Sequence, residues 1–255
     1  MKIYQSKVPT SASAYGLDGC PAGWVVTALS SNNDCDFAVY GSLSEWWSVV
    51  DSTIHFALID IPVGLLAAQA ARDCDANLRK HLGRRRSSVF AVPVREAVFA
   101  EDYRQACAIN AAATGKKFSI QSWNIVPKIR EADRLLDQQP RARTSVAESH
   151  PEWAFMQLTG SPMQHNKKTE AGYQERMAAL LRARPQAVDE VEAGLRAFKR
   201  KQVRRDDLVD AYALAVHARR IIDVGGWEIP KTPQFDPTDK AVRMCCGRFD
   251  GIEDS

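Results

Sequence analysis

The sequence predicts an α/β protein with a small mixed sheet, and three patterns along the chain support this prediction. Short apolar runs separated by turn residues occupy positions 15–41, which is typical of consecutive antiparallel strands. A near-continuous apolar run at 55–61 indicates a strand that is buried on both faces. From residue 152 to 223 the pattern is helical. The expected order is three antiparallel strands, a helix, and then a buried strand parallel to the first.

Local signals define the individual elements. Turn residues at 21–23 and 30–35 separate the first three strands, and Ser44 is a suitable N-cap for a helix that runs to Val50. The predicted strands are 14–20, 24–29, 37–40, 55–61 and 144–148. The further predicted helices are 67–82, 96–113, 123–138, 152–158, 170–183, 185–199 and 206–223.

A single domain at residues 14–225 accounts for most of the chain. The 255 residues are enough to bury one core with insertions, but few for a two-domain protein. Ser, Thr and Pro dominate residues 1–13, which are predicted as a flexible tail. The helical and basic stretch at about 66–140 is predicted as an insertion in the domain. Residues 226–255 have a loop-like composition and are predicted as a C-terminal extension.

Composition excludes several classes of protein. The chain has 34 Lys and Arg against 31 Asp and Glu, so its net charge of +3 is far below that of a protein that coats nucleic acid. Six cysteines show no CxxC pairing, which argues against a thiolate zinc site and favours reduced thiols in the cytoplasm. The most apolar stretch, 55–71, contains Asp60 and Pro62, so no membrane span is predicted.

Carboxylates end three of the predicted strands, at Asp18, Asp60 and Glu148. A buried acid costs several kcal/mol of desolvation unless it has a partner, and a metal ion is one partner that suits three acids at once. Ligand sites in open α/β sheets lie at the carboxyl ends of strands, where these acids fall. Alternatively, each acid caps a neighbouring helix or pairs with an arginine.

The last predicted helix adds two more acids to this group. At about 100° per residue, Asp207 and Asp210 lie on the same stripe as the apolar residues of the helix. Alanines at 211, 215 and 218 would let this helix approach the sheet closely, which would bring the two acids toward Asp18 and Asp60. A concentration of carboxylates requires cations, and oxygen ligands favour Mg²⁺ or Mn²⁺.

Basic residues gather in two parts of the chain. Residues 79–88 combine arginines, serines and a glycine, which suits a phosphate group or a nucleic-acid backbone. A second basic cluster, 199–205, precedes the last helix and would flank the same cleft; the alternative for both clusters is a solvated charged surface. The predicted phosphate-binding residues are Arg84, Arg86, Ser87, Ser88 and Lys128.

Several motifs resemble those of one family. They are GLDGC at 16–20, LIDIP at 58–62, RSSVF at 86–90, QSWNI at 121–125, ESHPE at 148–152 and DDLVDA at 206–211. Across residues 14–222 the chain resembles the domain-of-unknown-function 429 family, which groups predicted nucleases with a ribonuclease-H-like fold. More distantly, the acids resemble those of Holliday-junction resolvases. The resemblance implies metal ligands at Asp18, Asp60, Asp207 and Asp210. Glu148, on the fifth strand, has no fixed counterpart in the resolvase motif and is a candidate ligand or base.

These features predict a nuclease that hydrolyses phosphodiester bonds of DNA or RNA with two Mg²⁺ or Mn²⁺ ions. Asp18 would bridge the two ions, and His150 or Glu152 would assist proton transfer or serve the structure. A dimer, as in junction resolvases, is a further possibility. Two alternatives stay open: a nucleotide or small-molecule phosphate-binding or phosphotransfer enzyme, and a non-catalytic adaptor on the same fold.

Overall fold

Seven strands form one mixed sheet in the computed structural model, which describes residues 12–50, 52–67 and 71–249. Across the sheet the strands lie in the order β3-β2-β1-β4-β5-β7-β6. Their bounds are β1 Ala12–Cys20, β2 Gly23–Ser30, β3 Cys35–Tyr40, β4 Phe56–Ile59, β5 Val146–Glu148, β6 Gly226–Phe235 and β7 Ala241–Gly247.

The strand directions confirm the predicted order of a mixed sheet. β1, β2 and β3 are antiparallel to one another, whereas β4 is parallel to β1 and β5 is parallel to β4. In register, Leu17 pairs with Ile59, which pairs with Glu148 on its other side. The carboxyl ends of β1, β4 and β5 therefore meet at one edge of the sheet.

Helices cover both faces of this sheet. Their bounds are α1 Leu43–Val50, α2 Asp73–Leu82, α3 Arg95–Val98, α4 Tyr103–Thr114, α5 Ile120–Gln138, α6 Pro140–Ser145, α7 Pro151–Thr159, α8 Glu170–Ala183, α9 Ala187–Ala197 and α10 Arg205–Val224. One core lies between the sheet and α10, and a second lies between the sheet and helices α1 and α5. Within the described residues, no helix has both the length and the apolar character needed to cross a bilayer.

The side chains of β1 alternate between these two cores. Ala14 faces α10, whereas Tyr15 and Leu17 pack with the residues of α1 and α5. Asp18 lies an even number of residues from Ala14, so it shares the α10 face of the sheet.

Helix α10 is buried more completely than a single apolar stripe predicts. Every residue from Asp207 to Ala218 is buried. The helix lies against β1, β2 and β4 on one side and against α7, α8 and α9 on the other. A helix enclosed between two layers requires small or apolar residues all round, which the alanines of this segment supply.

The C-terminal segment differs from its prediction as a loop-like extension. Residues 226–247 form a hairpin whose strand β7 pairs with β5, so the segment belongs to the main sheet. Lys240 in the hairpin forms an ion pair with Asp133 of α5 at 3.1 Å. Two prolines, Pro230 and Pro233, hid the strand pattern, but they fall in the unpaired stretch of the edge strand β6, where proline is tolerated.

The helix predicted at 67–82 begins later, at Asp73. Arg72 precedes it in an extended conformation, and its guanidinium forms buried ion pairs with Glu148 and Asp75. These contacts hold the chain extended up to the first turn of α2.

Most of the predicted N-terminal tail lies outside the described residues. Residues 1–11 are not described, and Ala12 already begins β1, so the last two residues assigned to the tail belong to a strand. At the other end of the chain, residues 250–255 of the predicted extension also lie outside the described part.

Replacement of Gly16 by alanine tests the contact between β1 and α10. A Cβ atom at position 16 would lie 2.0 Å from the carbonyl oxygen of Ala211 and 2.2 Å from the amide nitrogen of Ala215. Since backbone cannot move aside as a side chain can, we expect Gly16→Ala to lower the free energy of unfolding by about 3 kcal/mol or more. Urea denaturation measures this change. Gly41→Ala is the control, because its Cβ would meet only the flexible Glu45 side chain, and equal losses in the two variants would contradict the proposed packing.

Candidate metal centre

Three carboxylates meet where β1, β4 and α10 come together. Asp18 lies in β1, Asp60 follows β4 directly, and Asp210 lies near the start of α10. Each offers one oxygen, and these three oxygens lie within 4.8 Å of one another. Asp18 and Asp210 are buried, whereas Asp60 is partly exposed. We call these residues the acid triad.

The backbone brings the acid triad together. The parallel pairing of β1 and β4 places Asp18 beside Asp60, and the Asp60 amide donates a 2.9 Å hydrogen bond to the Leu17 carbonyl. The close contact of Gly16 with Ala211 then places Asp210 beside them. Sequence analysis predicted all three residues as metal ligands, and the structure brings these three together.

Lys167 places a cation in contact with the acid triad, and sequence analysis missed this residue. Its ammonium group donates to Asp210 Oδ2 at 2.5 Å. Burial favours the neutral amine, but the charges of Asp210, Asp18 and Asp60 outweigh this effect and raise the pKa of Lys167. The lysine therefore stays charged and offsets part of the negative charge of the triad.

Full ionisation of the triad would place more negative charge there than Lys167 alone neutralises. Burial raises the pKa of Asp18 well above its usual range, and the negative charge of Asp60 raises it further. Burial also raises the pKa values of Asp60 and Asp210. A site that penalises its own ionised carboxylates binds a cation favourably, because the cation removes this penalty.

One carboxylate oxygen of the triad is free to bind a metal ion. Asp210 Oδ1 is buried and has no hydrogen-bond partner among the residues that the structure describes, whereas Oδ2 of the same carboxylate binds Lys167. A buried carboxylate oxygen without a partner is costly. The three side chains supply only oxygen ligands, the donor set that Mg²⁺ and Mn²⁺ prefer. The residues present therefore fit a divalent metal ion.

Glu148 and Asp207, the other two predicted acids, have partners of their own. Glu148 is buried, accepts a 2.7 Å hydrogen bond from the Val63 amide, and forms an ion pair with Arg72. Asp207 Oδ2 accepts a 3.0 Å hydrogen bond from the Arg204 amide, which caps the first turn of α10. The charge of Asp207 is still close enough to raise the pKa of Asp18.

A buried ion-pair network supports the loop that carries Lys167. Glu152 accepts from Arg85 at 3.0 Å and from Arg176 at 2.6 Å, and both arginines also donate to the His165 carbonyl. Burial opposes ionisation of Glu152, but the two arginines outweigh it and lower the pKa of this acid. Glu152 is thus a fixed charge that holds the loop, rather than a free base.

His150, the other candidate for proton transfer, is also engaged in structure. Its Nδ1 accepts a 3.2 Å hydrogen bond from the Glu152 amide and so caps the start of α7. Its Nε2 lies 3.4 Å from the Ser88 carbonyl. The side chain nevertheless lines the cavity next to the triad.

A cavity of about 350 Å³ opens onto the triad, and we call it the acid cavity. Of the predicted phosphate-binding residues, Ser88 and Lys128 line it. The Lys128 ammonium donates to the Gly23 carbonyl and lies 4.2 Å from the centre of the Trp24 ring. The remaining three residues lie on the exposed 3₁₀ segment 83–88 and do not line the cavity: Arg84, Arg86 and Ser87.

A basic cleft lies on the other side of Lys167. This cleft of about 620 Å³ contains Lys168, Arg200, Arg204 and Arg205, and Lys167 lines both the cleft and the acid cavity. The basic cluster predicted at 199–205 thus adjoins the triad, as its position before the last helix suggested.

These features define an α/β protein with a three-carboxylate centre at the carboxyl edge of a mixed sheet. The profile of the family described as “Protein of unknown function (DUF429)” matches residues 16–234, which include the whole triad. The chain therefore belongs to this family. No match was found among curated proteins or among solved structures.

Removal of the Lys167 charge tests whether the triad binds metal in competition with this lysine. Because the ammonium group repels a divalent ion and shares Asp210 with it, we expect Lys167→Met to bind Mn²⁺ about tenfold more tightly than the unmodified protein. Isothermal titration calorimetry measures the affinity. Lys168→Met is the matched control, since Lys168 is exposed and lies outside the acid cavity. Unchanged or weaker Mn²⁺ binding in Lys167→Met would contradict the competition.

The pH dependence of stability tests the environment of Asp207. Burial raises the pKa of Asp207 from 3.8 to about 6, so ionisation of this residue destabilises the folded, metal-free protein as the pH rises through 6. Asparagine keeps the oxygen that caps α10 but cannot ionise. We expect Asp207→Asn to raise the free energy of unfolding by about 1–2 kcal/mol at pH 8 and to leave it unchanged near pH 4.

Urea titrations in the presence of a chelator measure both values. Asp189→Asn, at an exposed acid in the first turn of α9, serves as the control and should show a much smaller difference. A gain for Asp207→Asn that is equal at both pH values would argue against the raised pKa.

Proposed function

We propose that this protein is a metal-dependent hydrolase that cleaves phosphodiester bonds, that is, a nuclease. The observation that carries the proposal is the acid triad with its buried, unpartnered Asp210 oxygen. Three carboxylates held this closely oppose folding even beside Lys167, because one ammonium group cannot neutralise three ionised acids, so a purely structural role does not account for them. The same point argues against a non-catalytic adaptor.

The side chains of the centre have distinct parts in this proposal. Asp18, Asp60 and Asp210 would hold the metal ion. A divalent ion at such a site supplies a Lewis acid for a phosphoryl oxygen and lowers the pKa of bound water. Lys167, which stays charged beside Asp210, would stabilise the negative charge that develops on the phosphate. The network around Glu152 would keep this lysine in place.

The strand order supports a ribonuclease-H-like fold. In such a fold, three antiparallel strands precede a helix and strands parallel to the first, which is the arrangement of β3-β2-β1-β4-β5 with α1. The hairpin β6–β7 extends the sheet beyond this pattern. The positions of Asp18 in β1, Asp60 after β4 and Asp210 in the last helix also agree with the expected placement of the acids.

The geometry favours one tightly held ion over the predicted pair. The three oxygens within 4.8 Å belong to a single group, and Asp207 is not part of it. A second ion would need Asp207, which now caps α10 through one of its oxygens.

Nucleic acid is the substrate that the surroundings support. Lys128 and Ser88 line the acid cavity, and the basic cleft adjoins it through Lys167. Positive groups on both sides of a metal centre suit a backbone of successive phosphates. A cytoplasmic location and a dimeric assembly stay predictions.

Substitution of the triad tests the proposed activity. We expect Asp60→Asn and Asp210→Asn each to reduce Mn²⁺-dependent cleavage of DNA or RNA at least about 100-fold, because each removes a charged ligand. Gel assays with labelled oligonucleotides measure the rate, and Asp189→Asn should cleave like the unmodified protein. An equal loss in Asp207→Asn would support two ions, whereas retained activity would support one. Full activity in both triad variants would overturn the proposal.

A further inference from the structure

Two motifs of the sequence are not used by the proposed metal chemistry, and they meet in the structure. The segment RSSVF ends at Phe90, and QSWNI contains Asn124 and Ile125. Although they are far apart in sequence, residues 88–90 and 124–125 both line the acid cavity. Together with Val92 they form a wall of the cavity that carries no carboxylate.

The chemistry of this wall differs from that of the triad. Val89, Phe90, Val92 and Ile125 are apolar, and Phe90 is 45% exposed, so its ring is accessible to a ligand in the cavity. Asn124 is exposed, and its side-chain amide makes no hydrogen bond to any described residue. The wall thus offers an aromatic face beside a group that both donates and accepts hydrogen bonds.

A flat, apolar group with a polar edge is the ligand that matches such a wall. A nucleobase has this character: it stacks on aromatic rings and is recognised by hydrogen bonds along its edge. A volume of about 350 Å³ lies at the low end for ligand pockets, so it admits one nucleoside-sized group. A base inside a duplex is stacked and paired, and it must leave the stack before it can enter such a pocket.

We propose that the acid cavity binds one unstacked nucleobase of the substrate, with Phe90 as its stacking platform and Asn124 at its edge. This inference rests on the proposed function, because it places the phosphate of the same nucleotide at the acid triad. Lys128, which lines the cavity close enough to Asp18 to feel its charge, would face the backbone. The substrate class is therefore nucleic acid with an unpaired nucleotide, such as a single strand or a free end, rather than an intact duplex.

Three oligonucleotides of equal length test this inference on the full chain. They are a single strand, its blunt duplex, and a fully abasic strand, each prepared as DNA and as RNA. Fluorescence anisotropy with Ca²⁺ measures binding, and gel assays with Mn²⁺ measure cleavage. We expect the single strand to bind at least about tenfold more tightly than the duplex and to be cleaved faster.

Substitutions of the wall separate base binding from backbone binding. We expect Phe90→Ala to weaken binding of the intact single strand about tenfold and to leave binding of a fully abasic strand unchanged. Phe99→Ala is the matched control, because Phe99 has a similar exposure of 40% and lies outside the cavity. Val92→Trp, which fills the cavity, should reproduce the effect of Phe90→Ala. Circular dichroism verifies that each variant is folded.

The outcomes distinguish this inference from the proposed function. Equal binding and cleavage of duplex and single strand, or equal effects of Phe90→Ala on intact and abasic strands, would overturn the inference and leave the nuclease activity standing. Base-dependent binding that is lost in Phe90→Ala, without cleavage of any substrate, would support the base pocket and contradict the activity. The absence of both binding and cleavage would overturn both.

Discussion

The direct contact between the backbones of β1 and α10 determines the position of the candidate metal centre. At Gly16 no side chain separates the strand from the carbonyl of Ala211. The helix therefore lies closer to the sheet than it could if side chains stood between the two layers. This closeness brings Asp210 to the carboxyl end of β1, beside Asp18. The spacing of the acids is therefore fixed by rigid main chain, which is the arrangement that a metal centre with defined geometry requires.

The acid triad is electrostatically unfavourable, whereas the acids around it are stabilised by ion pairs. The acid triad is opposed by one lysine, whereas acids nearby are fully paired: Glu148 with Arg72, and Glu152 with Arg85 and Arg176. The paired acids stabilise the fold, whereas the acids of the triad can still bind a cation. Unpaired buried charge concentrated at one point is typical of functional sites, where stability is given up for chemistry.

The sequence predicts that Asp18, Asp60 and Asp210 meet because their positions follow from periodic structure. Parallel strands bring their carboxyl ends to one edge, which made Asp18 and Asp60 neighbours, and the helical period with its alanines pointed Asp210 toward them. Lys167 could not be predicted from the sequence because it lies in an irregular loop whose position depends on the network around Glu152. The ion pair between Glu148 and Arg72 could not be predicted either, because the two residues are far apart in the sequence. The β6–β7 hairpin was missed because its prolines resemble a loop.

Because β7 is the last strand of the described chain, the acid cavity can be completed only late in its synthesis. Met244 on β7 pairs in register with Glu148 and lines the cavity, yet it leaves the ribosome after β1, β4 and α10. Protein chains fold from the N-terminal part onward as they emerge. Because Val242 and Met244 of β7 belong to the same core as α10, the packing of this helix is completed only when the hairpin docks. The complete pocket therefore exists only after nearly the whole described chain has been made, and its appearance is one of the last events in the translation of that part of the chain.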